Sequence, residues 1–382
     1  MISEGHIFSP ENDHNPPMIV ALKGAEKLGD KIDHYLVKWY NADMGTDYKS
    51  FLVANACPRF NSGDAKGIIE QSVRGKDLYV VVDVGNYNCT YTMFGETNRM
   101  SPDDHYADLK RIIAAIGGKA KSVTVIMPCL YGGRQHKRNA RESLDAAQML
   151  LELQAMGVKG LITFDAHDPR VQNAVPLMGF DNFMPNYQIL KALLRRHPDI
   201  KFDKDHFMIV SPDEGAMQRN IYYSSLLKLD LGMYYKRRDY STVIGGRNPI
   251  VAHEYIGSPV MGMDIFVADD IIATGDSVLR LAQELKEAGA GRIFLSATYA
   301  MFTEGIDAFR KAYNEGMIES VIGTNLTFLR PELSTEPWFI EADMSKYIAY
   351  IISAFNQNKS VSSLMEPHEK INKLLAEHNI NV

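Results

Sequence analysis

Three cysteines in 382 residues are too few to build a disulfide framework, and Cys57, Cys89 and Cys129 lack the paired spacing of a thiolate metal site. Their scarcity fits a reducing cytoplasm. Long apolar runs are missing too. None approaches the roughly 20 residues a membrane-spanning helix needs, and the start Met1-Ile2-Ser3-Glu4-Gly5-His6 has neither the basic nor the apolar region of a signal peptide. No membrane role is expected. An excess of positive charge is also absent: 41 Lys and Arg stand against 47 Asp and Glu, a net charge of −6. Bulk electrostatics therefore give no reason to expect a nucleic-acid partner. What remains is an ordinary globular composition, 46% hydrophobic and 23% charged, in a chain long enough for two domains with sizeable cores.

Apolar strand-like runs alternate with helical patterns, which argues for parallel sheets covered by helices. The first 17 residues, with Pro10, Pro16 and Pro17, read as an irregular arm. Strands are expected at Leu78–Asp83, Ser122–Pro128 and Gly160–Asp165, with helices at Tyr106–Ile116, Ala146–Ala155 and Tyr187–Arg196. The rhythm restarts with a strand at Phe207–Asp213, a helix over Met217–Lys228, a strand before Asp269, a helix to Ala288 and a strand at Arg292–Thr298. The boundary is placed near residue 185, giving domains 1–185 and 186–350 and a C-terminal extension 351–382 with a short surface helix. Polar residues close several strands: Asp165 and His167 in the first half, Asp213, Asp269 and Asp270 in the second. Ligands of open α/β sheets gather beyond the carboxyl ends of strands, so these positions are candidates for one cleft.

The most informative segment is Phe266-Val267-Ala268-Asp269-Asp270-Ile271-Ile272-Ala273-Thr274-Gly275-Asp276-Ser277. It reads as a strand, an acidic edge, a small hydroxyl-rich turn and the start of a helix. A helix N-terminus offers unpaired N–H groups and a positive dipole end to an anion. Two adjacent carboxylates suit the vicinal hydroxyls of a sugar or a divalent metal. The plain alternative is that the acids only cap the helix. All the parts together point to a phosphosugar.

This segment resembles the loop that binds 5-phosphoribosyl 1-pyrophosphate (PRPP) in type I phosphoribosyltransferases and ribose-phosphate pyrophosphokinases. Other blocks separate the two groups. Ser72-Val73-Arg74-Gly75-Lys76-Asp77, Arg134-Gln135 after Pro128, and Phe164-Asp165-Ala166-His167 are similar to pyrophosphokinase signatures. So are Ile209-Val210-Ser211-Pro212-Asp213-Glu214-Gly215, Lys236-Arg237-Arg238 and Val361-Ser362-Ser363-Leu364. They run in family order over most of the chain, whereas a phosphoribosyltransferase would need only the second half of them.

The resemblance implies two similar type I phosphoribosyltransferase-like domains, each a mostly parallel sheet flanked by helices, the first serving ATP and the second ribose phosphate. It implies transfer of the β,γ-pyrophosphoryl group of ATP to the C1 hydroxyl of ribose 5-phosphate, with Mg²⁺, giving PRPP and AMP. Lys236 and Arg238 would stabilise the transition state from a mobile flap. Phe60, Asp64, Arg134, Gln135 and His167 would lie with ATP, Phe60 and Asp64 on a loop that reads adenine in a neighbouring subunit. Asp213, Asp269, Asp270 and the run Ala273, Thr274, Gly275, Asp276 and Ser277 would hold the ribose phosphate, and His167 and Asp213 the metal. Partners would be ATP, ribose 5-phosphate and further copies of the chain, as a dimer or hexamer.

Departures from the family pattern cluster near ligands. Ser62 and Asp64 stand where the family has Asp and Glu, and His136 replaces the acid after Arg-Gln. Ala273 replaces an Asp, and Asp276 a small residue in the phosphate loop. They leave two alternatives: the same transfer to another 5-substituted ribose such as ADP-ribose, and a catalytically silent regulatory homologue. Retention of Lys236, Arg238, His167, Asp213 and both loop acids speaks against the silent form.

Overall fold

Runs such as Tyr79-Val80-Val81 and Leu161-Ile162 are apolar at successive positions rather than alternate ones, as strands covered on both faces require. The computed structural model describes residues 7–8, 15–138, 140–238 and 250–378, with the side chains of 236–238 and 250–253 outside that description. Pro10 of the N-terminal arm is also outside it. The described chain divides into two units. The first comprises residues up to Pro185 with 325–328 and 343–366, and the second holds 186–324, 329–342 and 367 onward.

The first unit contains β1 (Met18–Ala21), α1 (Glu26–Met44), β2 (Asn55–Ala56), β3 (Ile68–Ile69), β4 (Asp77–Val81), β5 (Thr90–Met93) and β6 (Glu96–Arg99). It continues with α2 (Pro102–Ile116), β7 (Ser122–Ile126), α3 (Asp145–Ala155), β8 (Gly160–Phe164) and β9 (Gly179–Phe183). Strands β1-β4-β7-β8-β9 form a parallel sheet in that order, while β2–β3 and β5–β6 are small antiparallel pairs. Ser101 is the N-terminal cap of α2. Ser101 Oγ accepts from the Asp104 N–H at 3.2 Å and Asp104 accepts from the Ser101 N–H at 2.8 Å, with Pro102 at the first helical position. That reciprocal capping box satisfies two otherwise orphaned donors.

The second unit follows with α4 (Asn186–Arg196), β10 (Phe207–Ser211), α5 (Met217–Leu227), β11 (Leu231–Arg238), β12 (Ile250–Ile256), β13 (Asp264–Ile272) and α6 (Asp276–Glu287). Next come β14 (Ile293–Ala300), α7 (Asp307–Asn314), β15 (Ser320–Thr324) and β16 (Phe339–Ala342). Its sheet has the order β12-β11-β10-β13-β14-β15-β16, and every described pairing is parallel except β11 with β12. Each unit is thus a mostly parallel sheet between helices.

The last helices, α8 (Ser345–Asn356), α9 (Ser362–Met365) and α10 (His368–Glu377), are shared out. The first two belong to the first unit and α10 to the second. Trp39 of α1 stacks on Tyr350 of α8 with ring centroids 4.3 Å apart. Helix α10 does more than lie on a surface. Ile371, Leu374 and Leu375, at i, i+3 and i+4, are buried in the second unit's core. The returning segment 325–328 meets Asp83, which follows β4 and is fully buried. Asp83 accepts from Gly85 N–H at 3.0 Å, Thr327 Oγ at 2.9 Å and Phe328 N–H at 3.0 Å. Burial pushes its carboxyl up to about 7, against the pull of those three donors.

Candidate active site

The acidic edge is part of a strand. The sequence pattern ends the strand before Asp269, whereas β13 runs through both acids to Ile272, with Asp269 in register with Ala297 and Ile271 with Tyr299. Its other neighbour stops early: β10 pairs Phe207–Ile209 with Asp264–Phe266 and ends at Ser211. The acids therefore stand on a strand end paired on one side only. Their carboxylates fold back on the chain. Asp269 accepts from the Asp270 N–H at 2.8 Å, and Asp270 from the Ile271 N–H at 2.9 Å. Asp270 is buried, and Asp269's side chain lies 3.7 Å from the Arg219 guanidinium. Burial first, and then the charge of Asp270, hold the Asp269 carboxyl above the ordinary range.

Ala273, Thr274 and Gly275 make the turn into α6. Gly275 has φ of 101°, and a Cβ there would meet the Phe309 ring at 2.4 Å, so both backbone and packing demand glycine. Thr274 Oγ donates to the Asp276 carboxylate at 3.2 Å and accepts from the Asp276 N–H at 3.4 Å. Asp276 and Ser277 are exposed in the first helical turn. The carboxylate of Asp276 complements the helix dipole there, which is why an acid is tolerated beside a turn suited to phosphate.

Asp213 follows the end of β10. Ser211 Oγ donates to its backbone carbonyl at 2.8 Å, and its own Oδ1 accepts from the Ala216 N–H at 3.2 Å, fixing the entry to α5. Strand β11 carries Lys236 and Arg238, whose side chains lie outside the described part of the structure. The ladder with β12 pairs Lys236 with His253 and Arg238 with Ile250 and slips between Arg237 and Arg238. Such a bulge ends regular pairing and re-aims a strand. Sequence reasoning did not include Arg219 and Asn220 of α5, both packed beside the acid pair. Nothing in the local pattern marks them, because their partners lie some fifty residues away.

In the first unit, Arg134 is exposed on the turn after β7. Gln135 is committed to that loop: its Nε2 donates to the Ser143 carbonyl at 2.9 Å, and its backbone N–H to Gly132 O at 2.8 Å. His136 Nε2 lies 3.5 Å from the Asp168 carboxylate, and its ring is 5.3 Å from that of His167. His167 itself is exposed. Asp168 also holds Arg170 through bonds of 2.8 and 2.5 Å, and these pull its carboxyl down to about 2. Phe60 and Asp64 sit together on a tight turn. The Phe60 N–H donates to Asp64 O at 2.7 Å, and Ser62 Oγ to the Asp64 carboxylate at 2.9 Å. The Phe60 ring is 53% exposed, so a face remains for stacking. Arg59 roots the turn through a buried bidentate pair with Asp108 at 2.8 and 2.9 Å. Among the described residues no group of three or more His, Cys, Asp or Glu is arranged to hold a metal by itself. No described helix is long and apolar enough to cross a membrane.

Two mostly parallel sheets, one bearing a strand–acid–turn–helix cradle, define an α/β protein with two phosphoribosyltransferase-like domains. Comparison with known proteins narrows the class. Residues 17–157 match the model of the N-terminal domain of ribose phosphate pyrophosphokinase. A ribose-phosphate pyrophosphokinase of Mycoplasma pneumoniae is 26% identical over 312 residues, covering 81% of this chain and 87% of that protein. One from Shewanella oneidensis is 27% identical, covering 80% and 89%. The crystal structure of phosphoribosylpyrophosphate synthetase from Mycobacterium smegmatis superposes with a TM-score of 0.71 at 20% identity, over 90% of this chain and 99% of that one, which shows the shared fold. Over most of its length the chain is thus similar to ribose-phosphate pyrophosphokinases.

Proposed function

We propose that the protein is a ribose-phosphate diphosphokinase, moving the β,γ-pyrophosphoryl group of ATP to the C1 hydroxyl of ribose 5-phosphate to give PRPP and AMP. The observation that carries this reading is the joined cradle of β13 and α6. Asp269 and Asp270 sit one short turn before a helix N-terminus whose entry requires Gly275. Paired carboxylates suit the 2- and 3-hydroxyls of a ribose, and the turn with its helix dipole suits the 5-phosphate. The raised Asp269 carboxyl fits as well, since crowded acids gain most from hydroxyl donors or a cation.

In this reading the C1 oxygen attacks the β-phosphorus, the bond from that phosphorus to the α-phosphate oxygen breaks, and AMP leaves. Charge grows on phosphoryl oxygens, so positioning and electrostatics carry the rate. Lys236 and Arg238 supply the cations. Arg134 takes phosphate oxygens, Phe60 stacks on adenine and Asp64 accepts from its amino group. Gln135 contributes through the loop it braces, and His167 stands at the triphosphate. The carboxylate of Asp213, oriented by the Ala216 N–H, is a hard oxygen donor of the kind Mg²⁺ accepts, and with His167 it would hold that ion. When bound, Mg²⁺ neutralises triphosphate charge. A cytoplasmic homo-oligomer, with Phe60 and Asp64 serving a neighbouring subunit, belongs to the same reading.

One observation favours a larger acceptor. The Asp276 carboxylate, held by Thr274, stands in the turn assigned to phosphate, where it opposes a terminal phosphate dianion more than a diester such as that of ADP-ribose. A mass-resolved assay with ATP, Mg²⁺ and either ribose 5-phosphate or ADP-ribose decides. PRPP and AMP from the first establish the main reading, and pyrophosphorylated ADP-ribose alone establishes the second. Absence of AMP with every acceptor overturns both and leaves a regulatory homologue.

A further inference from the structure

Strand β13 outruns its neighbour, and something must replace the missing strand. Strand β10 ends at Ser211 because Pro212 has no N–H to continue the ladder, and the Ser211 hydroxyl turns onto the Asp213 carbonyl. Ala268, two residues beyond the last β10 pairing at Phe266, is 1% exposed, so its N–H and C=O need partners within the protein. Asn220 of α5, wholly buried, supplies both. Its Nδ2 donates to the Ala268 carbonyl at 2.8 Å, and its Oδ1 accepts from the Ala268 N–H at 3.1 Å. A carboxamide presents one donor and one acceptor side by side, as a peptide group does. Asn220 thus acts as one residue's worth of strand grafted from a helix. The rest of its donor capacity goes to Ala216 O at 2.9 Å and Ser211 Oγ at 3.3 Å. One side chain ties the start of α5, the end of β10 and the edge of β13.

The next residue after Ala268 is Asp269, and the two carboxylates beyond are fixed by bonds to their own backbone. Wherever the Ala268 peptide stands, the acid pair follows. The preceding residue of α5, Arg219, places its guanidinium 3.7 Å from Asp269. Two consecutive helix residues therefore set the place and the charge environment of the pair.

We infer that Asn220 is a positioning residue for the sugar site: it holds the Asp269–Asp270 backbone at the height from which both carboxylates reach one vicinal diol. The inference rests on the reading of that pair as the ribose contact. Asn220→Leu keeps the volume and removes both bonds, while Asn220→Asp keeps the acceptor and loses the donor. Two measurements test it. In ligand-free protein, amide hydrogen exchange over residues 268–271 is expected to speed about tenfold in Asn220→Leu, with exchange in the first unit unchanged. In kinetics, KM for ribose 5-phosphate is expected to rise about tenfold while KM for ATP stays within about twofold. Should Asn220→Leu fail to fold, Asn220→Asp is expected to show the same pattern. Unchanged exchange at 268–271, or KM values for both substrates that rise together, overturns the inference. If the wild-type protein makes no PRPP, the exchange measurement still decides the positioning role, and only the choice of sugar falls.

Discussion

Asp168 and Asp269 follow or close central strands of two similar sheets, yet their surroundings treat them oppositely. Asp168 grips Arg170 through three side-chain bonds and one from that residue's backbone N–H, has His136 at 3.5 Å and is held down to about 2. Asp269 is half-buried, crowded by Asp270 and approached by Arg219 at 3.7 Å, and its carboxyl is pushed up. The first carboxylate has its partners already and acts as a strut for the loop around His136 and His167. The second, in the proposed reading, takes its partners from the sugar. A strand-end acid alone does not say which kind it is; its counter-charges do.

That contrast is open to direct attack. The largest effect is expected at Lys236, proposed above as one of the two cations that stabilise the transition state. Lys236→Ala should lower AMP release by about 10³-fold while far-ultraviolet circular dichroism stays unchanged. Near-normal release removes Lys236 from the chemistry.

Asp269→Asn comes next, with kcat/KM for ribose 5-phosphate expected to fall by about 10²-fold. Stability should move the other way. A carboxyl raised in the folded state keeps its proton longer than in the unfolded chain, so the wild type loses stability as pH rises above the ordinary carboxylate range. The asparagine variant escapes that loss, and its Tm should match or exceed the wild type's at pH 8. A lower Tm at that pH would show that Asp269 is not strained by its site.

Asp276→Gly should lower KM for ribose 5-phosphate by about threefold if the carboxylate opposes the phosphate, and an unchanged KM means it faces away. The smallest catalytic effect is expected at Asp168. Asp168→Asn should leave kcat within about twofold. Its signature lies in the acid limb of stability. A carboxyl lowered in the folded state contributes above the ordinary value and loses that contribution as pH falls from about 4 toward 2. The variant's Tm should therefore converge with the wild type's below pH 3, and a constant offset down to pH 2 would break the comparison.

Much of this was legible in the sequence. Apolar runs with helical segments between them disclosed the parallel sheets, and Asp269–Ser277 disclosed the cradle, because both signals are local. What escaped was set by distant partners. The strand continues through Asp269 and Asp270 because β14 pairs with it there, which no run of residues near 269 reveals. Asn220 looks like a polar helix residue until Ala268, 48 positions on, is seen to need it. Helix α1 was legible in principle: Leu28, Ile32 and Leu36 recur at every fourth position and are buried, but the tyrosines, Trp39 and charges between them blur the stripe. The return strand β12 is antiparallel, against the parallel rhythm of its neighbours, and its pattern carries no sign of that.

The contact of Asp83 with Thr327 and Phe328 bears on how the molecule is made. Asp83 emerges from the ribosome 244 residues before Thr327, and α8, the partner of α1, comes later still. Until then the first unit lacks two of the three donors outlined for that buried acid and one wall of its aromatic stack. The first unit cannot be finished while the second is still being synthesised, so a ribosome stalled near residue 300 would carry an N-terminal unit that is collapsed, incomplete and a client for chaperones.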